Sequence, residues 1–298
     1  MKTAAGVLGK VQATRSASLW NDAWRRLKKN KVAVISLIYT LFICLVALLA
    51  NHLAPYSYKD PIGDPNLFST LFPSLKFPFG TDQLSRDLFS RCIYGAQMSM
   101  SVGIVTAVSS LVLGLIYGGI SGYVGGRLDG VLMRIVDVLF SFPSLLLIIL
   151  IQSMIGRGLL GIYLALTIVG WVSTARLVRG QVLQVKEMVY VEAARSIGSR
   201  GTMIVFRHIF PNILGPLIVT LTFNIPNNIL AESFLSFLGL GVPPPYASWG
   251  SLARDGYQAL QTYPHLIFFP SILIFLVVLA FNLLGDGLRD ALDPKMKR

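Results

Sequence analysis

The chain contains several apolar runs that are long enough to cross a lipid bilayer, and these runs limit what it can fold into. A helix needs about 20 predominantly apolar residues to cross the hydrocarbon core, where its backbone polar groups must be hydrogen-bonded internally. The sequence therefore predicts an all-α membrane protein with six transmembrane helices. The predicted spans are 32–53, 99–124, 137–155, 159–177, 209–233 and 266–285. Pro143 interrupts the third span, and we interpret Pro211, Pro216 and Pro226 in the fifth as kinks.

Composition favours a membrane protein and excludes several other classes. Of the 298 residues, 54% are hydrophobic and only 13% are charged, whereas about a quarter of the residues in soluble domains are charged. A net charge of +12 can indicate a nucleic-acid binder, but here the basic residues lie between long apolar runs. We therefore expect no nucleic-acid partner. Cys44 and Cys92 lie in very different settings, which argues against a structural disulfide and against a metal site.

The distribution of Lys and Arg predicts which side each connection faces, because cytoplasmic loops are enriched in both. With the N-terminus inside, 20 of the 26 basic residues are cytoplasmic, and so are both termini. This orientation predicts a cytoplasmic segment 1–31, an extracytoplasmic loop 54–98, a five-helix core 99–285 and a cytoplasmic tail 286–298. The apolar run 32–53 and the polar leader before it are too long for a signal peptide, so we expect this first helix to be retained.

Two further features bear on packing. The extracytoplasmic loop 54–98 is rich in Pro and aromatic residues and either packs on the helix ends or contacts a solute directly. Glycines recur at near-helical spacing on the second span, and small residues let helix backbones approach closely in lipid. They are Gly114, Gly118, Gly119, Gly122 and Gly125. This face is predicted to meet another helix, either in this chain or in a partner chain.

The cytoplasmic connection 178–208 contains a predicted amphipathic helix. No helix breaker occurs between residues 181 and 196, and Gly198 follows as a helix stop. The apolar positions recur at spacings of three and four. They are Val182, Leu183, Val185, Val189 and Ala193. This helix would present a small, flat Ala193-Ala194 surface between Glu192 and Arg195, suited either to docking in a groove of a cytoplasmic partner or to lying on the inner membrane surface.

This connection resembles the Glu-Ala-Ala loop of the permeases of ATP-binding cassette (ABC) importers. In that loop Gly follows the Glu by six residues and Pro follows it by nineteen, and here those positions hold Gly198 and Pro211. His208 and Phe210 depart from the general Ile and Leu, but the segment 207–212 is similar to the peptide-permease version. The resemblance implies that this chain couples to an ATPase through Glu192, Ala193, Ala194, Arg195, Gly198 and Pro211.

The wider resemblance is to the C-type transmembrane subunit of oligopeptide and dipeptide ABC importers, and it covers nearly the whole chain. Four groups of residues carry it in the same order. They are Phe-Gly-Thr-Asp at 79–82 with Arg86-Asp87; Met133-Arg134, Asp137 and Ser-Phe-Pro-Ser-Leu at 141–145; Glu-Ser-Phe-Leu-Ser-Phe-Leu-Gly-Leu-Gly at 232–241; and Phe-Asn-Leu-Leu-Gly-Asp-Gly-Leu-Arg-Asp-Ala-Leu-Asp-Pro at 281–294. One departure is Ser85, where Gly is usual.

The resemblance implies a type I ABC importer permease fold in a bacterial inner membrane, forming half of a translocation pathway for oligopeptides. ATP and magnesium would be bound by separate ATPase subunits, so we expect neither enzymatic activity nor a cofactor in this chain. The sequence contains no Gly-x-x-x-x-Gly-Lys-Ser/Thr phosphate loop. The implied partners are a B-type permease, two ATPase subunits, an extracytoplasmic solute-binding protein, the peptide substrate and the lipid bilayer. Dipeptides, glutathione or nickel are alternative cargoes.

Three charged residues near the membrane core are further candidates, because charge at that depth is costly and often functional. Arg134 and Asp137 are three residues apart on a helix, so we expect them to pair with each other rather than to bind substrate. Glu232, at the outer end of the fifth span, either attracts the amino terminus of a peptide or caps local structure.

Two other functional classes fit the sequence less well. An intramembrane protease needs a nucleophile with a base, or a His-Glu-x-x-His motif, but no such motif occurs and His52, His208 and His265 fall at span ends. Secondary transporters usually carry acidic residues deep within their spans together with internal repeats. The span centres here are nearly uncharged, and we detect no repeat.

Overall fold

The computed structural model of the protein describes residues 19–62 and 70–293. Of the predicted terminal segments 1–31 and 286–298, residues 1–18 and 294–298 lie outside that description. The regular elements of the described part are helices; it contains no β-sheet, only an isolated bridge between Thr81 and Asp87. Its α-helices are α1 (Leu19–Lys29), α2 (Lys31–Leu48), α3 (Ala50–Leu53), α4 (Leu88–Val124), α5 (Gly126–Phe140), α6 (Ser144–Ile155), α7 (Leu159–Lys186), α8 (Val189–Ser196), α9 (Gly201–Ile204), α10 (Phe210–Phe237), α11 (Trp249–Gln258) and α12 (His265–Leu292). A π-helical segment, Val205–Ile209, joins α9 to α10.

Five helical stretches in the described residues are long and apolar enough to cross a membrane. They are α2, α4, α7, the continuous stretch Gly201–Phe237 and α12. The third predicted span, 137–155, is instead a pair of shorter helices, because α5 and α6 meet at an angle of 87°. Pro143 lies at this bend, where proline disfavours helical geometry in the residue before it. Counted as one broken span, this pair gives the six spans that were predicted, with the interruption at Pro143.

Most of the other predicted boundaries shift outward. The second span begins at Leu88 rather than at residue 99, because the Asp87 carboxylate caps α4 by accepting a hydrogen bond from the Ser90 N–H at 2.7 Å. Helix α4 therefore begins within the predicted extracytoplasmic loop 54–98. Likewise α7, α10 and α12 run nine, four and seven residues beyond the predicted ends, to Lys186, Phe237 and Leu292. Hydropathy misses such ends because polar side chains of a membrane helix emerge into the interfaces.

The glycine face of α4 packs against α7 of the same chain, which resolves the alternatives for this face. A methyl group added at Gly118 would stand 2.3 Å from the Ala175 carbonyl oxygen, and one added at Gly114 would stand 2.6 Å from the Thr174 Cβ. Gly122 faces Arg179 and Val182 one turn further on. The small residues therefore let the two backbones approach closely along most of their shared length.

Helix α12 joins the two ends of the described chain. Its Gly287 lies against Ala33 of α2 and Leu27 of α1, where a methyl group would stand 2.3 Å from the Ala33 Cβ. Arg26 of α1 donates a hydrogen bond to the Asp293 carbonyl at 3.2 Å. Both ends of the described chain therefore lie at the same end of the bundle, and the distribution of Lys and Arg assigns that end to the cytoplasm.

At the opposite end, a buried ionic cluster organises the segment before α4. The Asp82 carboxylate accepts hydrogen bonds from the Arg86 guanidinium, at 2.8 Å, and from Arg91. It also accepts the backbone N–H groups of Leu84 and Arg86 at 2.9 Å each, which closes a tight turn. Ser85 in this turn has φ of +56°. The left-handed conformation explains why glycine is usual at this position in the family that the sequence resembles.

Candidate functional site

The connection after α7 differs from the single helix that was predicted between residues 181 and 196. Helix α7 continues to Lys186, the chain turns at Glu187 and Met188, and α8 begins at Val189. The break lets Val182 and Val185 of α7 and Val191 and Ala194 of α8 enter one apolar core. A continuous helix would carry Val191 away from that core, because six residues do not complete a whole number of helical turns.

Helix α8 divides the Glu-Ala-Ala triplet between core and solvent. Ala194 is buried with Val191, whereas Glu192, Ala193 and Arg195 are exposed. The expectation that Val189 and Ala193 share the apolar face was wrong, because both point outward. A paired, flat Ala-Ala surface is therefore absent from α8, and its exposed side carries one small residue between two charged ones.

Gly198 ends α8 as predicted. Its φ of +80° is the left-handed conformation that glycine adopts without a steric penalty. The Gly198 N–H donates to the Arg195 carbonyl at 3.0 Å, and the Ser199 N–H donates to the Ala194 carbonyl at 3.1 Å. This pair of bonds is a Schellman motif, which satisfies carbonyls left free at a helix end.

Pro211 lies in the first turn of α10, directly after the π-helical segment. Proline has no N–H to donate, so a carbonyl of the preceding turn loses its usual partner. The wider π-helical turn adapts to this loss, with the Phe210 N–H donating to the Val205 carbonyl. The Asn212 side chain donates to the His208 carbonyl at 2.6 Å. The residues around Pro211 thus continue the helix from the cytoplasmic connection into the membrane.

An exposed apolar surface surrounds α8, and we call it the coupling surface. Its members are Val189, Tyr190, Ile197, Met203 and Phe206, and Val189 and Ile197 are 80% and 84% exposed. Tyr190 lies 6.4 Å from the His208 ring, measured between centroids. Partial desolvation raises the pKa of the Tyr190 hydroxyl, which therefore stays neutral at physiological pH. Met203 and Phe206 lie at the start of the crossing stretch Gly201–Phe237, whereas Val189, Tyr190 and Ile197 lie outside the crossing stretches. Exposed apolar side chains outside a membrane span mark a place where another molecule binds.

Buried polar contacts anchor the cytoplasmic end of α7 beneath this surface. The Arg179 guanidinium makes a two-pronged ion pair with Asp129 of α5, with both contacts at 2.6 Å. Ser121 of α4 donates to the same carboxylate at 2.5 Å, and the Lys186 ammonium donates to the carbonyls of Gly122 and Tyr123. Sequence reasoning did not single out Asp129 or Arg179. The available signal was an acidic residue flanked by basic ones on the predicted cytoplasmic side.

The expected pairing of Arg134 with Asp137 is not what the structure contains. Asp137 pairs with Arg176 of α7, at 2.5 Å, and the Arg176 guanidinium also lies 4.1 Å from the centre of the Phe140 ring. Helix spacing allowed an ion pair within α5, but α7 brings a second arginine close enough to replace it. This contact links the bent pair α5 and α6 to α7.

Glu232 is buried inside the bundle rather than exposed at a helix end. Only 1% of its surface is accessible, and its carboxylate accepts hydrogen bonds from Ser236 at 2.6 Å and from Ser99 of α4 at 3.1 Å. Ser99 also accepts the backbone N–H of Trp249 at the start of α11. Glu232 therefore ties α4, α10 and the extracytoplasmic helix α11 together, which favours the structural interpretation over contact with a peptide.

The comparison with protein families agrees with this architecture. Residues 110–298 match the family described as the binding-protein-dependent transport system inner membrane component. Residues 18–71 match the N-terminal transmembrane domain of oligopeptide transport permease C. The first match covers more than half of the chain and includes α8, α10 and α12.

Similar proteins are permeases from several bacteria. The chain is 46% identical to the oligopeptide transport system permease protein OppC of Bacillus subtilis, covering 95% of this chain and 92% of that protein. It is 47% identical to the dipeptide permease DppC of the same organism, with 95% and 88% covered. It is 40% identical to the glutathione permease GsiD of Escherichia coli, with 93% and 91% covered.

The fold is also found among solved transporters. An inward-facing structure of the MetNI methionine ABC transporter contains a chain that matches with a TM-score of 0.58 at 19% identity, covering 69% of this chain and 98% of that one. With five or six candidate spans in the described residues, this likeness and the family match define a helical membrane protein of the type I ABC importer permease fold. The chain belongs to the family of binding-protein-dependent transport inner membrane components, as a permease subunit of an ABC importer.

Proposed function

We propose that this permease forms one half of the transmembrane pathway of a peptide importer and that α8 docks onto a cytoplasmic ATPase subunit. The observation that carries the docking proposal is the coupling surface. Its apolar side chains stand in solvent while Val191 and Ala194, on the other side of the same helix, are fully packed. A helix that is anchored on one side and apolar on its free side fits a groove in a partner protein.

The contacts around α8 support a mechanical role for this docking. Its buried side packs into the core shared by α7 and α10, two of the membrane-crossing stretches. The ion pair between Arg179 and Asp129 ties the end of α7 to α5. A displacement of α8 by an ATPase subunit would therefore move several helices together, as expected for a rigid-body or hinge transition.

The proposed cargo follows from the relatives. The OppC and DppC proteins at 46% and 47% identity are named for oligopeptides and dipeptides, and GsiD at 40% is named for glutathione, itself a small peptide. We therefore propose a peptide as the substrate of this importer. By the same relationship, a second permease, two ATPase subunits that bind ATP and magnesium, and an extracytoplasmic binding protein complete the transporter.

The test is to reverse one charge on α8 in the assembled importer. Glu192 is exposed, so Glu192→Lys should leave the fold intact while reversing the charge at this position of the docking interface. We expect peptide uptake into proteoliposomes, and the ATPase activity stimulated by loaded binding protein, to fall by about tenfold or more, within the usual range of coupling free energies. Asp290→Lys is the matched control, because it reverses the charge of another exposed acidic residue at the cytoplasmic end of the bundle, in α12.

The outcomes separate docking from cargo. Normal uptake by Glu192→Lys would contradict the role of α8. If the wild-type complex is stimulated by its binding protein but transports none of a panel of dipeptides, oligopeptides and glutathione, the cargo assignment fails while docking stands.

A further inference from the structure

A cavity lies away from the coupling surface, between the membrane-crossing helices. It has a volume of about 450 Å³ and is enclosed by the bent pair α5 and α6, by α7 and by α10. Its walls include Phe140, Phe142, Ile148, Val172 and Asn227. None of the residues that line it is charged. The cavity is therefore mostly apolar with a few uncharged polar groups, the composition of most small-molecule sites.

Asn227 is the polar group whose position needs an explanation. It lies within the crossing stretch Gly201–Phe237, ten residues before the outer end of α10, or about 15 Å along the helix axis. Its side chain is exposed and has no hydrogen-bond partner in the described part of the chain. The neighbouring Asn228, by contrast, donates to the Thr106 hydroxyl at 2.7 Å. A carboxamide with no partner is costly in hydrocarbon, so Asn227 needs either water or a ligand.

The irregular backbone beside the cavity also indicates that water or a ligand enters it. Residues 141–143 leave the helical conformation between α5 and α6, and Phe142 lines the cavity. Non-helical backbone at membrane depth is tolerated where it is buried in protein or lines a water-filled space. The ion pair between Asp137 and Arg176 closes this region on the cytoplasmic side, because Arg176 lies on Phe140, which forms part of the wall.

We infer that this cavity is part of the peptide pathway and that Asn227 binds the main chain of the peptide. This inference rests on the proposed function. A carboxamide offers two donors and an acceptor, which match the C=O and N–H groups of a peptide bond whatever its side chains are. Charged termini of a peptide would need counter-charges that the cavity lining lacks. The aromatic and aliphatic walls can accept varied side chains, so the site recognises the backbone and tolerates different sequences.

Water access to Asn227 is the first test. In the assembled importer, with Cys44 and Cys92 replaced by Ser, Asn227→Cys is compared with Phe275→Cys, which lies 60% exposed in α12. A charged, water-soluble methanethiosulfonate reagent should modify residue 227 at least tenfold faster than residue 275, and peptide-loaded binding protein should slow the reaction. Equal rates, or no modification of residue 227 in any nucleotide state with or without peptide, would overturn the inference in favour of lipid or of a partner helix.

The second test uses the native cysteines and separates this site from α8. Asn227→Leu should raise the KM of peptide uptake about fivefold to tenfold, the effect of one net hydrogen bond. Asn227→Gln, which keeps the carboxamide, should restore part of it. ATPase stimulation by loaded binding protein should persist in both variants, unlike in Glu192→Lys. An unchanged KM in Asn227→Leu contradicts the inference while leaving peptide import itself intact.

Discussion

At the outer end of the bundle, Asp82 and Arg91 are buried against each other, whereas at the cytoplasmic end Val189 and Ile197 stand in solvent. The outer end thus buries charged side chains and pairs Asp82 with Arg86 and Arg91. The cytoplasmic end exposes apolar side chains that nothing in the described chain covers. Buried ion pairs therefore organise the outer end, whereas the exposed apolar side chains of the cytoplasmic end are those that we propose an ATPase subunit covers.

The outer ionic cluster offers the largest expected effect. Asp82→Ala leaves Arg86 and Arg91 buried without their carboxylate. Breaking a buried pair in this way should lower the free energy of unfolding by about 3–5 kcal/mol, because the remaining charges stay desolvated. The thermal unfolding midpoint of the purified complex measures the loss. Asp22→Ala removes the partner of the exposed Arg25 and should cost less than about 1 kcal/mol, so equal losses would remove the distinction.

The Glu232 cluster offers a smaller effect and tests whether the outer end serves structure or substrate. Glu232→Ala leaves the hydroxyls of Ser99 and Ser236 without their shared acceptor and should cost about 1–3 kcal/mol. Glu232→Gln keeps one acceptor oxygen and should cost less. If Glu232→Ala keeps its unfolding midpoint but transports peptide more slowly, Glu232 acts toward the substrate and the structural interpretation is wrong.

The smallest effect on stability should come from the coupling surface. Ile197→Ser replaces an exposed side chain and should change the free energy of unfolding by no more than about 0.5 kcal/mol. The same substitution at Ile204, which is buried beneath the surface, should cost at least about 2 kcal/mol. ATPase stimulation by loaded binding protein should nevertheless fall in Ile197→Ser. A stable Ile197→Ser variant with full stimulation would show that Ile197 contributes nothing to docking.

The features predicted best were those set by local chemistry. Apolar runs identified the crossing stretches, and Gly198 ends α8 because a left-handed residue after a helix favours glycine. The helix around Glu192 was predicted at the right place, but its beginning at Val189 was not predicted. Its break at Glu187 and Met188 depends on a core shared with α7 and α10, and such a core leaves no simple period in one segment.

Contacts between distant segments account for the wrong predictions. Arg134 was the nearest cation to Asp137 along its helix, but Arg176, 39 residues away in sequence, forms the pair. The burial of Glu232 likewise depends on Ser99, 133 residues away. Neither partner carries a local signal, because serine and arginine are frequent residues at many kinds of position.

By itself the sequence determined that this chain crosses a membrane, which end faces the cytoplasm, and which permeases it resembles. Length, hydropathy and charge decide these properties, because lipid requires internally bonded apolar helices and basic residues remain on the cytoplasmic side. Only the tertiary structure decided which side of α8 is free, that Glu232 is enclosed, and that Asn227 faces a cavity. Each of these depends on what packs against a residue, which is settled only when distant helices meet.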